Sequence, residues 1–225
     1  IGKTSLSIEL ASRLNTEIIS CDSRQFYREM CIGTAVPSEE QMGRVRHHFI
    51  RHKTVSDYYS ASIFGNDVLR LTKELFKKYD LLLMTGGSGL YIDAACGKMD
   101  DIPDVDPAIR QKYLDKYREE GLESLRASLK LLDPDHYQTV DLRNHKRIIR
   151  ALEICESAGS PYSQYLKKEG RERPFDIYKI GLRMDRQELY SRINHRVDLM
   201  IEAGLEEEAR QLLQYSHLNA LNTVG

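Results

Sequence analysis

With 225 residues, 41% hydrophobic and 30% charged, the chain has the make-up of a globular protein with one core, or one core and an insertion, and not of a disordered segment. Its formal charge of −1 excludes a polycation that holds nucleic acid by overall attraction, so any such contact has to come from local patches. No run approaches the roughly 20 apolar residues of a membrane helix, and Cys21, Cys31, Cys96 and Cys155 form no Cys-x-x-Cys pair, which points to reduced thiols and a cytoplasmic location.

The chain opens on Ile1-Gly2-Lys3-Thr4 and an amphipathic run, 5–14, expected to be a helix. Gly-Lys-Thr opening a helix is the second half of a phosphate-binding P-loop. Its upstream glycine would precede this sequence, so the N-terminal end reads as cut, and the unclosed final run 218–225 reads as cut as well. Amides of a first helical turn have no intrahelical acceptor and converge with the positive end of the helix dipole. A di- or triphosphate therefore docks there, with Lys3 adding a cation and Thr4 a hydroxyl for Mg²⁺. Glu17-Ile18-Ile19-Ser20-Cys21 reads as a buried parallel strand that empties into Asp22-Ser23-Arg24-Gln25. Ligands of open α/β sheets collect beyond the carboxyl ends of strands, which places Asp22 beside the phosphate loop. Segment 45–50 carries His47-His48, neighbours that a strand would turn to opposite faces, so they are poor joint metal ligands. A helix is expected over 60–78 and a second buried strand at Leu81-Leu82-Leu83-Met84. The glycine turn Thr85-Gly86-Gly87-Ser88-Gly89 follows, where backbone can approach a ligand.

From Asp100 onward the pattern is helical. Asp106-Pro107 and Asp133-Pro134 each read as an N-cap with proline at the first helical position, and Gly121 as a stop. Residues 104–172 are therefore expected to be a helical insertion between core segments 1–103 and 173–225. At helical spacing Arg143, Arg147 and Arg150 would share a face, with Ile148, Leu152 and Cys155 turned inward. Either a solvated surface or a nucleic-acid contact fits such a stripe. Ile177-Tyr178-Lys179-Ile180-Gly181-Leu182 is expected to be a third strand, followed by helices over 186–203 and from Leu205.

In order, Gly2-Lys3-Thr4, Asp22-Ser23-Arg24-Gln25, Ile32-Gly33-Thr34-Ala35, His47-His48, Gly86-Gly87-Ser88-Gly89-Leu90-Tyr91-Ile92, 147–153 and Leu189-Tyr190-x-Arg192-Ile193-Asn194-x-Arg196-Val197-Asp198 resemble the tRNA dimethylallyltransferases, also called tRNA isopentenyltransferases. The resemblance implies an α/β fold, a P-loop NTPase-like parallel sheet with flanking helices and a helical insertion domain. It also implies transfer of a dimethylallyl group from dimethylallyl diphosphate to the exocyclic amine of the adenine next to the tRNA anticodon. Carried over by position, Gly2, Lys3 and Thr4 would bind the diphosphate, Thr4 with Mg²⁺, and Asp22 would be the general base. Asp22, Ser23, Arg24, Gln25, Ser88, Arg110, Lys146, Arg147, Ile148, Ile149, Arg150, Asn222, Thr223, Val224 and Gly225 would contact tRNA. Ser88 stands where the family often has threonine. A monomer is expected.

The residues' own chemistry agrees. An adenine amine is a poor nucleophile, and a carboxylate that accepts its proton lowers the barrier by about 10²–10⁴-fold in rate. The departing diphosphate needs oriented N–H groups and cations. An adenylate isopentenyltransferase would share Asp22 and the donor loop without macromolecular contacts, and a P-loop small-molecule kinase would share Lys3, Thr4 and Mg²⁺ without the basic helix. A non-enzymatic RNA-binding module would tolerate loss of Asp22.

Overall fold

The computed structural model of the chain describes residues 2–97, 105–166, 172–218 and 220–221. In chain order the elements are α1 (Lys3–Arg13), β1 (Ile18–Cys21), α2 (Glu39–Arg44), β2 (His47–His48), α3 (Ala61–Leu75), β3 (Leu83–Gly86), α4 (Gly89–Ala95), α5 (Pro107–Leu132), α6 (Pro134–Thr139), α7 (His145–Ala158), α8 (Arg186–Glu202) and α9 (Leu205–Leu212). They divide into two units, Ile1–Gly97 with Glu172–Gly225, and Lys98–Arg171. No described helix is long and apolar enough to cross a membrane.

The first unit is built on a parallel sheet in the order β2-β1-β3. β1 is the central strand and all four of its residues are buried, as expected where both faces of a parallel sheet are covered. Ile8 and Ala11 of α1 pack with Ile18 and Val45 in one cluster. Ile19 and Cys21 join Phe26, Tyr59, Phe64 and Val68 in another. Ser60 caps α3 by accepting from the Ile63 amide.

Two strand expectations are corrected. β3 begins at Leu83 and not at Leu81, because its ladder with β1 starts at Ile18 opposite Leu83. Leu81 instead gives its carbonyl to the Thr16 hydroxyl. The run 177–182 forms no strand: Tyr178 and Ile180 are 87% and 86% exposed, and no described backbone pairs with them. A β-branched run gains its ladder only from a neighbouring edge.

The second unit is helical. Asp106 caps α5 through the Ala108 amide, and Asp133 caps α6 through the His136 amide. α5 breaks where a stop was expected, at Gly121 with φ 77°. Tyr113, Leu125 and Leu129 of α5 pack against Ile148, Ile149 and Leu152 of α7. Arg143 does not belong to the helical stripe, because Asn144 takes the N-cap of α7 by accepting from the Arg147 amide. The helix begins only at His145.

Candidate active site

Gly2 enters α1 in the left-handed conformation, φ 83°, which a residue with a side chain adopts only at a cost. Among the described residues no side chain caps α1, and the first-turn amides of a helix have no intrahelical acceptor. Lys3, the first helical residue, is exposed and donates from Nζ to the Gly86 carbonyl at 2.9 Å. Gly86 is paired with Cys21 across the sheet, and a Cβ on it would fall 2.0 Å from the Cys21 carbonyl oxygen. Only glycine allows this approach, which brings the end of β3, the end of β1 and the start of α1 to one place.

Asp22 follows Cys21 directly. Its neighbours are tied to the glycine turn: the Ser23 amide donates to Ser88 Oγ at 2.9 Å, the two serine hydroxyls lie 3.0 Å apart, and the Ser88 amide donates to the Cys21 carbonyl at 3.3 Å. Asp22 Oδ1 accepts from the Arg24 amide at 3.1 Å, which orients the carboxylate. Burial, with Cys96 and Asp22 nearby, pushes the Cys21 thiol up to about 12, so it is a neutral packing group and no nucleophile. Gln25 Nε2 donates to the carbonyls of Thr34 and Ala35, at 3.1 and 3.0 Å, so this side chain holds the Ile32-Gly33-Thr34-Ala35 loop.

Two site neighbours carried no assignment from sequence. A Cβ on Gly2 would lie 3.7 Å from Arg192 Nη1, so the α8 arginine puts a second cation at the phosphate loop. Arg192 is also held by Glu188 at 2.8 Å, a pairing that i,i+4 spacing signals. The carboxylate of Glu208 on α9 accepts from the amides of Cys31 and Ile32, at 2.8 and 2.7 Å, and from Gly33 at 2.9 Å. Beside that loop an open groove of about 380 Å³ is lined by Ile32, Val36, Met42, Arg196 and Met200, away from Lys3 and Asp22.

In the helical unit Arg110, Lys146 and Arg147 are exposed and Arg150 is half-buried. Ile148 and Ile149 are buried in the α5–α7 core, so their side chains anchor the helix and present nothing at the surface. Asn222, Thr223, Val224 and Gly225 lie outside the described residues.

Thr4, half-buried in the first turn of α1, is the hydroxyl that could hold a magnesium ion; among the described residues no cluster of three His, Cys, Asp or Glu side chains forms. His47 and His48 are engaged separately, with the Val45 carbonyl and with Glu17.

The IPP transferase family model matches residues 25–225. The tRNA dimethylallyltransferase 1 of Bacteroides thetaiotaomicron is 51% identical over all of this chain and 73% of its own length. The tRNA dimethylallyltransferase 2 of Porphyromonas gingivalis is 54% identical over all of this chain and 75% of its own length. Among solved structures, the tRNA isopentenylpyrophosphate transferase of Bacillus halodurans is similar with a TM-score of 0.60 at 37% identity, covering 95% of this chain and 67% of that one. A eukaryotic dimethylallyltransferase acting on tRNA gives a TM-score of 0.77 at 25% identity, covering 96% and 54%. The parallel sheet beside a phosphate loop is thus the P-loop NTPase-like architecture of these transferases, and the chain belongs to the IPP transferase family, that of the tRNA dimethylallyltransferases.

Proposed function

We propose that this protein transfers the dimethylallyl group of dimethylallyl diphosphate to the exocyclic amine of the adenine 3′-adjacent to the anticodon of tRNA. One arrangement supports the reading: Lys3 is bonded to Gly86, Gly86 pairs with Cys21 and Ser23 is bonded to Ser88, so the strand end that carries Asp22 adjoins the start of α1. The amine nitrogen attacks the allylic carbon, and the bond from that carbon to the diphosphate oxygen breaks with its electron pair leaving on the diphosphate. Asp22 takes the proton that the amine gives up. Gly2 and the first-turn amides, Lys3 and Arg192 hold the leaving anion. Thr4 would hold a magnesium ion there, which would supply charge neutralisation to the leaving group.

Ser23, Arg24 and Ser88 stand where an extruded base arrives, and Gln25 shapes that place by holding the adjacent loop. Extrusion costs a few kcal/mol and is cheapest in a splayed anticodon loop. Arg110, Lys146, Arg147 and Arg150 grip backbone phosphates, with Ile148 and Ile149 fixing their helix, and Asn222, Thr223, Val224 and Gly225 extend the contact. The protein works as a monomer in the cytoplasm, where substrate tRNA is found.

The test is an assay of the full-length protein with labelled dimethylallyl diphosphate and Mg²⁺, offering an anticodon stem-loop or free AMP as acceptor, with Asp22→Asn in parallel. Label on the stem-loop, lost by about 10²–10⁴-fold in Asp22→Asn, is the expected result. Label on AMP alone moves the protein to the free-nucleotide branch, and ATP turnover without label sinks prenyl transfer in favour of a kinase.

A further inference from the structure

Glu153 of α7 is 1% exposed, the most deeply buried acid among the described residues after Asp133. Asp133 is satisfied by the His136 and Ser163 amides and the Ser163 hydroxyl. Glu153 is not satisfied in this way. Its Oε1 has no hydrogen-bond partner among the described residues, and the groups that face the carboxylate are two guanidiniums: Arg110 Nη1 at 3.6 Å from Oε1 and Arg150 Nη1 at 3.3 Å from Oε2. Arg110 comes from α5 and Arg150 from α7; the first is exposed and the second half-buried, with 49% and 40% of their side chains reaching solvent.

The same helix seam holds a contrasting pair. Glu156 binds Lys112 at 2.7 Å and receives the Tyr113 hydroxyl at 2.7 Å, so one acid neutralises one base in an ordinary surface link. At Glu153 one buried carboxylate is shared by two cations, and the surface above it keeps a net positive charge. A buried carboxylate has no route to water and cannot relinquish both partners without leaving its charge uncompensated. It is therefore a fixed post for cations from two helices, through a hydrogen bond to Arg150 at 3.3 Å and a looser ion pair with Arg110 at 3.6 Å, and among the described residues no other side chain pairs with either guanidinium.

We infer that Glu153 is a positioning residue for nucleic-acid recognition, fixing Arg110 and Arg150 as a pair that receives the phosphodiester backbone of the RNA acceptor. The inference rests on the tRNA reading above and deepens it. The sign of one substitution decides it. Glu153→Gln removes a negative charge beside a phosphate-binding surface, so electrostatics without positioning demands tighter RNA binding and a steeper salt dependence. Loss of positioning demands the reverse.

The experiment measures binding of an anticodon stem-loop to the full-length protein across 50–200 mM salt, normalised to folded protein, together with transfer kinetics. Glu153→Gln is expected to weaken RNA binding by about fivefold and to raise KM for the stem-loop, leaving KM for dimethylallyl diphosphate unchanged. Unchanged or tighter binding, even with a lower Tm, assigns Glu153 a purely structural role and overturns the inference. Should Glu153→Gln fold poorly, Arg150→Lys keeps the charge while losing the fork, and is expected to weaken binding to a similar extent; parental affinity overturns the inference. If the double variant Arg110→Ala/Arg150→Ala binds RNA like the parent, the basic face itself is no RNA contact. That outcome fails the inference together with this part of the tRNA reading, while label transfer to the stem-loop still reports separately on the chemistry.

Discussion

The Nζ of Lys3, the first residue of α1, donates to the carbonyl of Gly86, the last residue of β3, at 2.9 Å. This bond holds the ammonium beside the ends of β1 and β3 and the first turn of α1, the place proposed for the donor diphosphate. The lysine is exposed, so its loss removes a charge and its bond to Gly86 and no buried packing. Lys3→Met is expected to lower kcat/KM for dimethylallyl diphosphate by about 10²–10³-fold while stability stays within about 0.5 kcal/mol. Steady-state kinetics and thermal unfolding on the same preparation check both halves.

Gly86 and Gly87 separate folding from function by one position. A Cβ on Gly86 meets the Cys21 backbone at 2.0, 2.3 and 2.8 Å, whereas one on Gly87 meets only the movable end of Lys3 at 3.2 Å. Gly86→Ala has to push two paired strands apart and is expected to cost about 3 kcal/mol or more in urea unfolding. Gly87→Ala is expected to fold at near-parental stability and to lose activity through a displaced Lys3. Equal stability loss in both variants would refute the distinction.

Glu208 ties α9 to the Ile32–Ala35 motif from one side as Gln25 does from the other. Three consecutive amides converge on one carboxylate, and a Gln side chain has to turn an NH₂ toward at least one of them. Glu208→Gln is expected to free the loop by about 1–3 kcal/mol, seen as faster amide hydrogen exchange at Cys31, Ile32 and Gly33 with α3 protection unchanged.

The start of α1 and the end of β1 were legible because their signals are local. Glycine at a positive φ, lysine and a hydroxyl opening a helix, and an acid directly after a buried strand each act within a few residues of themselves. Proline-preceding aspartates marked α5 and α6 for the same reason. What escaped depends on partners distant in sequence. The run 177–182 has strand composition, yet a ladder needs an edge beside it. Arg143 fell off its helix because Asn144 competes better for the N-cap. Glu208 looks like Glu206 and Glu207 in sequence, and only the folded chain shows which of the three faces the 31–33 amides. Ile148 and Ile149 matched RNA-contacting positions of the family, whereas their burial shows them to be the support on which the exposed Arg147 and half-buried Arg150 stand.

His52 gives a pH dependence with a defined sign. Its ring lies among Phe26, Phe49 and Tyr59, at centroid distances of 5.4, 5.4 and 5.1 Å, and neither ring nitrogen has a hydrogen-bond partner among the described residues. Burial, reinforced by the nearby Lys53 charge, lowers its pKa to about 4. The unfolded chain keeps an ordinary imidazole near 6.5, so between about pH 6.5 and 4 the unfolded state binds the extra proton and stability falls as the pH falls. The loss is complete below about pH 4, and His47 and His136, whose pKa values burial also lowers, add to it in the same direction. His52→Phe retains an aromatic ring among its neighbours and removes this titration. Its Tm is expected to decline less than the parent's between pH 6.5 and 4, and parallel declines in the two proteins would show that His52 is not protonated on unfolding.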